Sequence, residues 1–447
     1  MKVSLPYGGR SVEFEIPKKN LLVIASPKLR RTRNDLQTIK KALANPIDSK
    51  RLSELARPES KVAIAVTDST RPVPNSKILP LVLGELEESG VKDVNITIII
   101  ATGMHRQNTE EEIKRNIGEK AAKRYRVVNH NPEDRANIRE FGKTQLGTEV
   151  QVNKTFGDAD LKIVTGAIMP CMLSGWCGSG KTVMPGVSSR KSIEQNHALF
   201  VKNFESLDRG AMGGIVENNF VRKDIDDCAT RAKLDFAVNV SLNERKEVMQ
   251  AFAGHPQNVH RQGVEFGKDA MKTTVPERAD IVIAGPGFVE YEVSLYQSAS
   301  RTFATVENVI KERGTIILVS SCHRGLYEGI GKEVEFYRGW LTRLPKPKEI
   351  LEMTARNEVP SFESCILYQF SWMMQHFSVK VLTKGMSESE LDEIGMGYVS
   401  SPREAIKESL RTHGENARIA VVPYASITYV SPIPPSAATS LPLAEFD

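Results

Sequence analysis

The sequence predicts an α/β protein of two domains with largely parallel sheets, and three observations carry that prediction. Short β-rich apolar runs recur along the chain: 62–66 (VAIAV), 94–100 (VNITIII), 161–165 (LKIVT), 279–284 (ADIVIA) and 315–320 (TIILVS). Continuous apolar runs of this kind suit strands buried on both faces of a parallel sheet. Each run leads into a polar or glycine-rich loop, and helix-compatible segments follow, which is the rhythm of β-loop-α units. The rhythm restarts near residue 276, and 447 residues suffice for two or three domains that each bury a core.

The elements follow in order. The opening residues MKVSLPYGGRSVEFEI alternate apolar and polar side chains as a strand does, without the continuous apolar stretch of a signal peptide. After the 62–66 strand comes the polar loop Thr67-Asp68-Ser69-Thr70-Arg71-Pro72, then a helix over about 76–89 stopped by Gly90. The 94–100 strand ends in Ala101-Thr102-Gly103-Met104-His105. Thr109 with Glu112 three residues on marks a capping box at the next helix. The 161–165 strand precedes a long glycine-rich loop over 166–186, and 188–200 is helix-compatible and carries His197. Strands at 279–284 and 315–320 belong to a second α/β domain. A last strand at 417–422 (ARIAVV) precedes a Pro- and Ser-rich tail.

In parallel sheets, ligands bind beyond the carboxyl ends of the strands. Asp68, Arg71 and His105 all fall in such loops, so the sequence places them on one crevice.

Composition narrows the function. The hydrophobic share of 40% and the charged share of 26% are those of an ordinary soluble domain. A net charge of +5, from 60 basic and 55 acidic residues, is too even for a nucleic-acid binder. The basic run at 28–33 (KLRRTR) reads as a solvated face or partner contact. No apolar run approaches the roughly 18 residues that span a bilayer. Five cysteines without a CxxC pair point to reduced thiols and a cytoplasmic setting.

Residues Gly175 to Thr182 (GWCGSGKT) match G-x-x-x-x-G-K-[ST], the phosphate-cradling loop of P-loop NTPases. The context argues against that use. A P-loop needs a strand running into the glycines and a long helix starting at the lysine. Here Pro170 interrupts the approach, and Pro185 with Gly186 leaves no sustained helix after Lys181. A lysine among small residues can instead anchor a cofactor covalently. His197, sixteen residues on, supplies an imidazole suited to nickel if the cofactor brings the other donors.

Together these segments resemble the lactate racemase family, whose members use a nickel-pincer nucleotide. The match runs in order through TDSTRPVPN (67–75), ATGMHR (101–106), GSGKTVMPGVSS (178–189), QNH (195–197) and YQ (296–297). The resemblance implies two domains around a central cleft: a cofactor-binding domain at 1–272, a second at 273–410 closing on the substrate, and a 411–447 segment returning to the first. It implies a covalent nickel-pincer nucleotide on Lys181, with His197 as metal ligand and Asp68 and Arg71 beside the cofactor. His105 matches one of two catalytic histidines, while Arg71, Tyr296 and Gln297 match substrate-facing residues. The implied chemistry is an isomerase reaction, racemisation or epimerisation of a small hydroxy acid, by hydride transfer to the cofactor and back through a 2-oxo acid. The implied partners are that substrate and the cofactor-biosynthesis enzymes, with no nucleic acid and no membrane.

Two positions depart from the family. Its second catalytic histidine falls on Cys171, and a lysine three residues after the YQ pair is here Ser300, beside Arg301. A thiol of pKa ~8.5 is a poorer base at neutral pH than imidazole unless its site lowers it. Four readings of Cys171 stay open: a tuned base, a bystander with His130 or His323 in the role, a space-filling residue, or a sign of another substrate. Loss of the lysine charge at Ser300 points to a substrate, or a substrate orientation, unlike that of lactate. The alternatives are a non-catalytic sensor on the same scaffold and a P-loop NTPase.

Overall fold

The computed structural model describes residues 1–27, 34–207, 213–327 and 332–430. The basic run at 28–33 and the tail beyond 430 lie outside the described residues. The chain forms two compact units, one of residues 29–269 with 360–362, the other of 1–28, 270–359 and 363–447.

The first of these, the 29–269 unit, holds a six-stranded sheet. Its spatial order is Val248–Gly254, Phe236–Leu242, Leu161–Ala167, Val62–Thr67, Ile96–Ala101 and Arg126–Asn129. Val248–Gly254 runs antiparallel to its neighbour and all other pairings are parallel. Strands Val62–Thr67, Ile96–Ala101 and Leu161–Ala167 are buried almost throughout, as their unbroken apolar runs require. The chain progresses one way from Val62–Thr67 to its two later neighbours, then returns to its other flank with Leu161–Ala167. The switch point therefore lies between those two strands, where open α/β sheets bind ligands.

Two local expectations shift. The second strand begins at Ile96 and not at 94, because Val94 sits in a short 3-10 turn with its side chain in solvent. The 188–200 helix is Arg190–Ala198 capped by Ser189, with a separate helix Phe200–Leu207 after it. The capping box at Thr109 and Glu112 forms as read from the sequence.

The other unit holds a wholly parallel six-stranded sheet in the order Gly397–Val399, Ser378–Leu382, Ile310–Val319, Ala279–Ala284, Ile419–Val422 and Leu21–Ile24. This corrects the domain plan. The strand Ile419–Val422 pairs with Ala279–Ala284 and Leu21–Ile24, so the 411–430 segment belongs to the second sheet and does not return to the first domain. The amino-terminal residues also join this unit. The hairpin Lys2–Tyr7 and Arg10–Glu15 turns through Gly8 and Gly9, both at positive φ, and buries Val3, Leu5 and Phe14 with Ile281, Ile317 and Val421. The physical reason is that a four-residue apolar strand satisfies any open sheet edge. Its choice of sheet is a long-range decision that local pattern does not encode.

Candidate functional site

At the carboxyl end of Val62–Thr67 the chain places Asp68, and at the end of Ile96–Ala101 it places His105. Their side chains meet: Asp68 Oδ2 lies 2.7 Å from His105 Nδ1. The other carboxylate oxygen accepts from the Thr70 backbone N–H at 2.8 Å and the Thr70 hydroxyl at 2.5 Å. Burial pushes the Asp68 carboxyl up, but the facing His105, the Arg71 guanidinium and the Thr70 hydroxyl outweigh it and hold it far below the usual carboxylate range. An ionised Asp68 accepts only, so Nδ1 of His105 carries the proton and Nε2 presents its lone pair. That lone pair faces Arg71 Nη2 at 3.3 Å, and Arg71 Nη1 donates to the Thr70 hydroxyl at 2.6 Å and its carbonyl at 3.1 Å.

Asp68, expected beside the cofactor, is buried, with one oxygen held by Thr70 in its own loop and the other by His105 in the loop after Ile96–Ala101. Thr70, which sequence reading passed over, joins Asp68 to Arg71; its place inside TDSTRP was the available signal.

The glycine-rich loop follows Leu161–Ala167, across the switch point. A short hairpin pairs Cys171 with Gly175, and Ser179–Thr182 makes a single 3-10 turn. No phosphate cradle remains in it. The Lys181 and Val183 N–H groups donate to Gly178 and Gly180 carbonyls, and the Ser179 N–H donates to Asn239 Oδ1. The Thr182 hydroxyl, which would ligate magnesium in a P-loop, is buried and donates to the Thr165 carbonyl at 2.9 Å. The glycines serve packing. Gly178 has φ of 107°, and a Cβ there would lie 2.6 Å from Ile168 Cδ1. The NTPase reading therefore fails on geometry as well as on sequence.

Lys181 is half-buried, and its amine donates to Ser174 Oγ at 3.2 Å with no carboxylate partner among the described residues. His197 lies buried on Arg190–Ala198, its Nδ1 donating to the Ile193 carbonyl at 2.9 Å one turn back. That bond settles the tautomer and leaves Nε2 as a lone-pair donor, the arrangement found in metal-ligating histidines. Burial lowers the His197 pKa to about 4, helped by the Lys181 charge and opposed by the Ile193 carbonyl and Cys171. Lys181 and Cys171 are both within electrostatic reach of His197. The ring of Phe362, part of the same unit, lies 5.3 Å from that of His197. Among the described residues no three His, Cys, Asp or Glu side chains cluster to hold a bare metal ion.

His130 is buried, its Nε2 donates to the Ser188 carbonyl at 2.8 Å, and burial lowers its pKa to about 4. It is a packed structural residue, not a spare base. In the other unit, Tyr296 and Gln297 open the helix Leu295–Val306. Tyr296 is enclosed by Tyr327 and Tyr337, with centroids at 4.9 and 5.1 Å, and burial pushes its hydroxyl well above the usual range. The Gln297 side-chain amide has no hydrogen-bond partner among the described residues. Ser300 Oγ donates back to the Gln297 carbonyl at 3.1 Å, and the Arg301 guanidinium lies 4.7 Å over the Tyr291 ring. His323 is exposed in the same unit.

Comparison with known proteins decides the affiliation. Residues 7–208 match the model of the lactate racemase N-terminal domain, and 274–428 match that of the lactate racemase C-terminal domain. The chain belongs to the lactate racemase family. Lactate racemase of Thermoanaerobacterium thermosaccharolyticum is 31% identical over 432 residues, covering 94% of this chain and 97% of the relative. That of Lactiplantibacillus plantarum is 30% identical over 428 residues, with 94% and 97% covered. The lactate racemase apoprotein structure from T. thermosaccharolyticum superposes with a TM-score of 0.85 at 28% identity, covering 96% of this chain and 100% of that one. A Thermotoga maritima structure, at a TM-score of 0.68 and 17% identity over 90% of this chain, shares the fold. The lactate racemase family is a family of isomerases, and this member carries its α/β architecture across both domains.

Proposed function

We propose that the protein is a nickel-pincer-nucleotide-dependent racemase or epimerase of a 2-hydroxy acid other than lactate. The observation that carries this reading is the paired state of Lys181 and His197: an amine without an acidic partner beside a buried imidazole whose Nε2 is left open. Lys181 would hold the group covalently and His197 would ligate its nickel, the pincer's own carbon and sulfur donors completing the coordination. When bound, the group supplies a two-electron acceptor for the α-hydrogen, so that the carbon loses its configuration at a planar 2-oxo acid.

The chain's own residues do the rest. His105 Nε2 takes the α-hydroxyl proton, and Asp68 on Nδ1 keeps that lone pair available and stabilises the imidazolium that results. Arg71 is suited to a bidentate grip on the substrate carboxylate. In the free enzyme its Nη2 lies against the His105 lone pair. Turning to a carboxylate would release that lone pair for the hydroxyl, which couples substrate binding to base activation. Cys171 is assigned the second proton transfer, supported by its place across the switch point and its reach to His197. Gln297, with an uncommitted amide, and Ser300, without the family's lysine charge, favour a substrate whose recognition differs from that of lactate. Five free cysteines, all buried, suit a reducing cytoplasm, and the enzymes that build the cofactor are the partners this reading requires.

The test is production together with those cofactor-making enzymes, followed by intact-mass and nickel analysis. A mass adduct on Lys181 with about one nickel per chain is expected. An unmodified lysine without nickel sinks the cofactor assignment. A panel of enantiopure 2-hydroxy acids, followed by chiral separation, tests the substrate. Lactate as the fastest substrate would overturn that part.

A further inference from the structure

The threonine of the P-loop-like motif is left without a role by the reading above, and its contacts supply one. Thr182 Oγ1 donates to the Thr165 carbonyl at 2.9 Å. Thr165 Oγ1 donates in turn to Asn75 Oδ1 at 2.6 Å. The Asn75 amide nitrogen reaches Asn116 Oδ1 at 2.9 Å and the Thr67 carbonyl and hydroxyl at 3.3 Å, while Asn116 Nδ2 donates to the same Thr67 carbonyl at 2.7 Å. Asn75, Thr165 and Thr182 are all buried. The chain of bonds begins one residue after Lys181 and ends one residue before Asp68. It crosses the sheet at the switch point, between Val62–Thr67 and Leu161–Ala167. Contacts there are close enough that a Cβ on Gly166 would meet Asn239 Nδ2 at 3.0 Å and Thr182 Oγ1 at 3.6 Å.

We infer that Asn75, Thr165 and Thr182 are positioning residues, a buried tie that sets the distance between the cofactor anchor at Lys181 and the Asp68–His105 base. Each link uses the group its residue type provides. Asn75 needs an amide because it accepts from one strand and donates to the other. Thr165 uses its hydroxyl towards Asn75 and its carbonyl towards Thr182. Buried polar groups in such a chain are costly to leave unpaired, so the tie holds one geometry. The inference rests on the assignment of Lys181 as anchor and His105 as base, and the experiment separates the two.

The central variant is Thr182→Val, which keeps shape and removes only the hydroxyl, with Thr182→Ser as its conservative rescue. Amide hydrogen exchange on the full-length apoprotein follows two segments, 67–71 and 179–183. The tie predicts that Thr182→Val raises exchange about tenfold or more in both segments, and that Thr182→Ser restores it. A rise confined to 179–183 overturns the inference, and so does no rise at all. In cofactor-loaded enzyme, Thr182→Val is expected to lower kcat by about ten- to hundredfold, the scale of a small misplacement of reacting groups. KM stays within twofold and the Lys181 adduct forms as in the unsubstituted protein. A KM effect without a kcat effect also counts against the tie. If the unsubstituted protein carries no adduct, the functional reading fails, while the exchange result still decides the tie. Thr165→Val, which breaks the middle link, should reproduce the paired rise.

Discussion

The two parallel sheets end in opposite kinds of chemistry. At the carboxyl end of the 62–67, 96–101 and 161–167 strands stand a carboxylate, an arginine, a lysine and two histidines; the His105 Nε2 lone pair faces Arg71, and that of His197 has no hydrogen-bond partner among the described residues. At the carboxyl end of the other sheet the polar groups are largely hydroxyls that satisfy one another. Ser298 and Ser320 hydroxyls lie 2.6 Å apart, the Cys322 thiol donates to Ser320 Oγ, and Thr383 Oγ1 donates to the Ser321 carbonyl. The Glu292 carboxylate there accepts from the Gly8 and Ser321 N–H groups, and burial raises its pKa. Burial likewise pushes the Cys322 thiol up to about 11. One architecture thus serves two purposes. Where hydroxyls and thiols pair with one another, the sheet end stabilises its unit. Where lone pairs are left over beside fixed charges, it can react.

Substitutions can break that contrast, and the largest effect is expected at the base. His105→Ala should lower kcat by about 10³-fold, within the usual range for a lost general base, with the Lys181 adduct retained. Asp68→Asn keeps the shape but removes the acceptor that sets the tautomer, so a fall of about 10²-fold is expected with KM little changed. Equal kinetics in the Asp68 variant would return Asp68 to a packing role. Cys171→Ala should cost roughly tenfold or more in kcat if the thiol moves a proton. Unchanged turnover assigns it to packing.

Acid sharpens the comparison through stability. His130 and His260 are buried, and burial lowers their pKa values to about 4 and about 3 from 6.5. The unfolded chain therefore binds their protons first, and stability falls as pH drops below 6.5 towards those folded values. Each histidine contributes a slope of about 1.4 kcal/mol per pH unit. Asp68, with its pKa depressed, adds a loss only at lower pH, as protonation begins below its unfolded value near 3.8. Urea titrations between pH 7 and 4 measure the slope; a flat profile contradicts the buried, neutral state of both rings. The smallest effect belongs to the hydroxyl end of the other sheet. Ser298→Ala should cost about 1–2 kcal/mol of stability and leave kcat within twofold, read by urea midpoint and turnover together.

Much of the candidate site was legible in advance because its signals are local. Asp68, Arg71 and His105 stand directly after unbroken apolar runs, and strand direction then places them on one sheet end. The misuse of the P-loop motif was legible too, since Pro185 and Gly186 forbid the helix that motif needs. Less visible was the role of Asp68. Its neighbourhood was apparent, but its partner is set by the distance between two loops 37 residues apart. The strands Phe236–Leu242 and Val248–Gly254 were also unmarked, and they complete the edge of the first sheet.

The sequence by itself determined the α/β class, the buried strands and the loop positions of Asp68, Arg71 and His105. Those follow from side-chain periodicity and from residue types whose chemistry is intrinsic. Only the tertiary structure decided that Leu21–Ile24 and Ile419–Val422 complete one sheet, that Asp68 serves His105, and that Thr182 serves Thr165. Each of those is a choice among partners far apart in the chain, and it is made by which buried donors and acceptors can be satisfied at once.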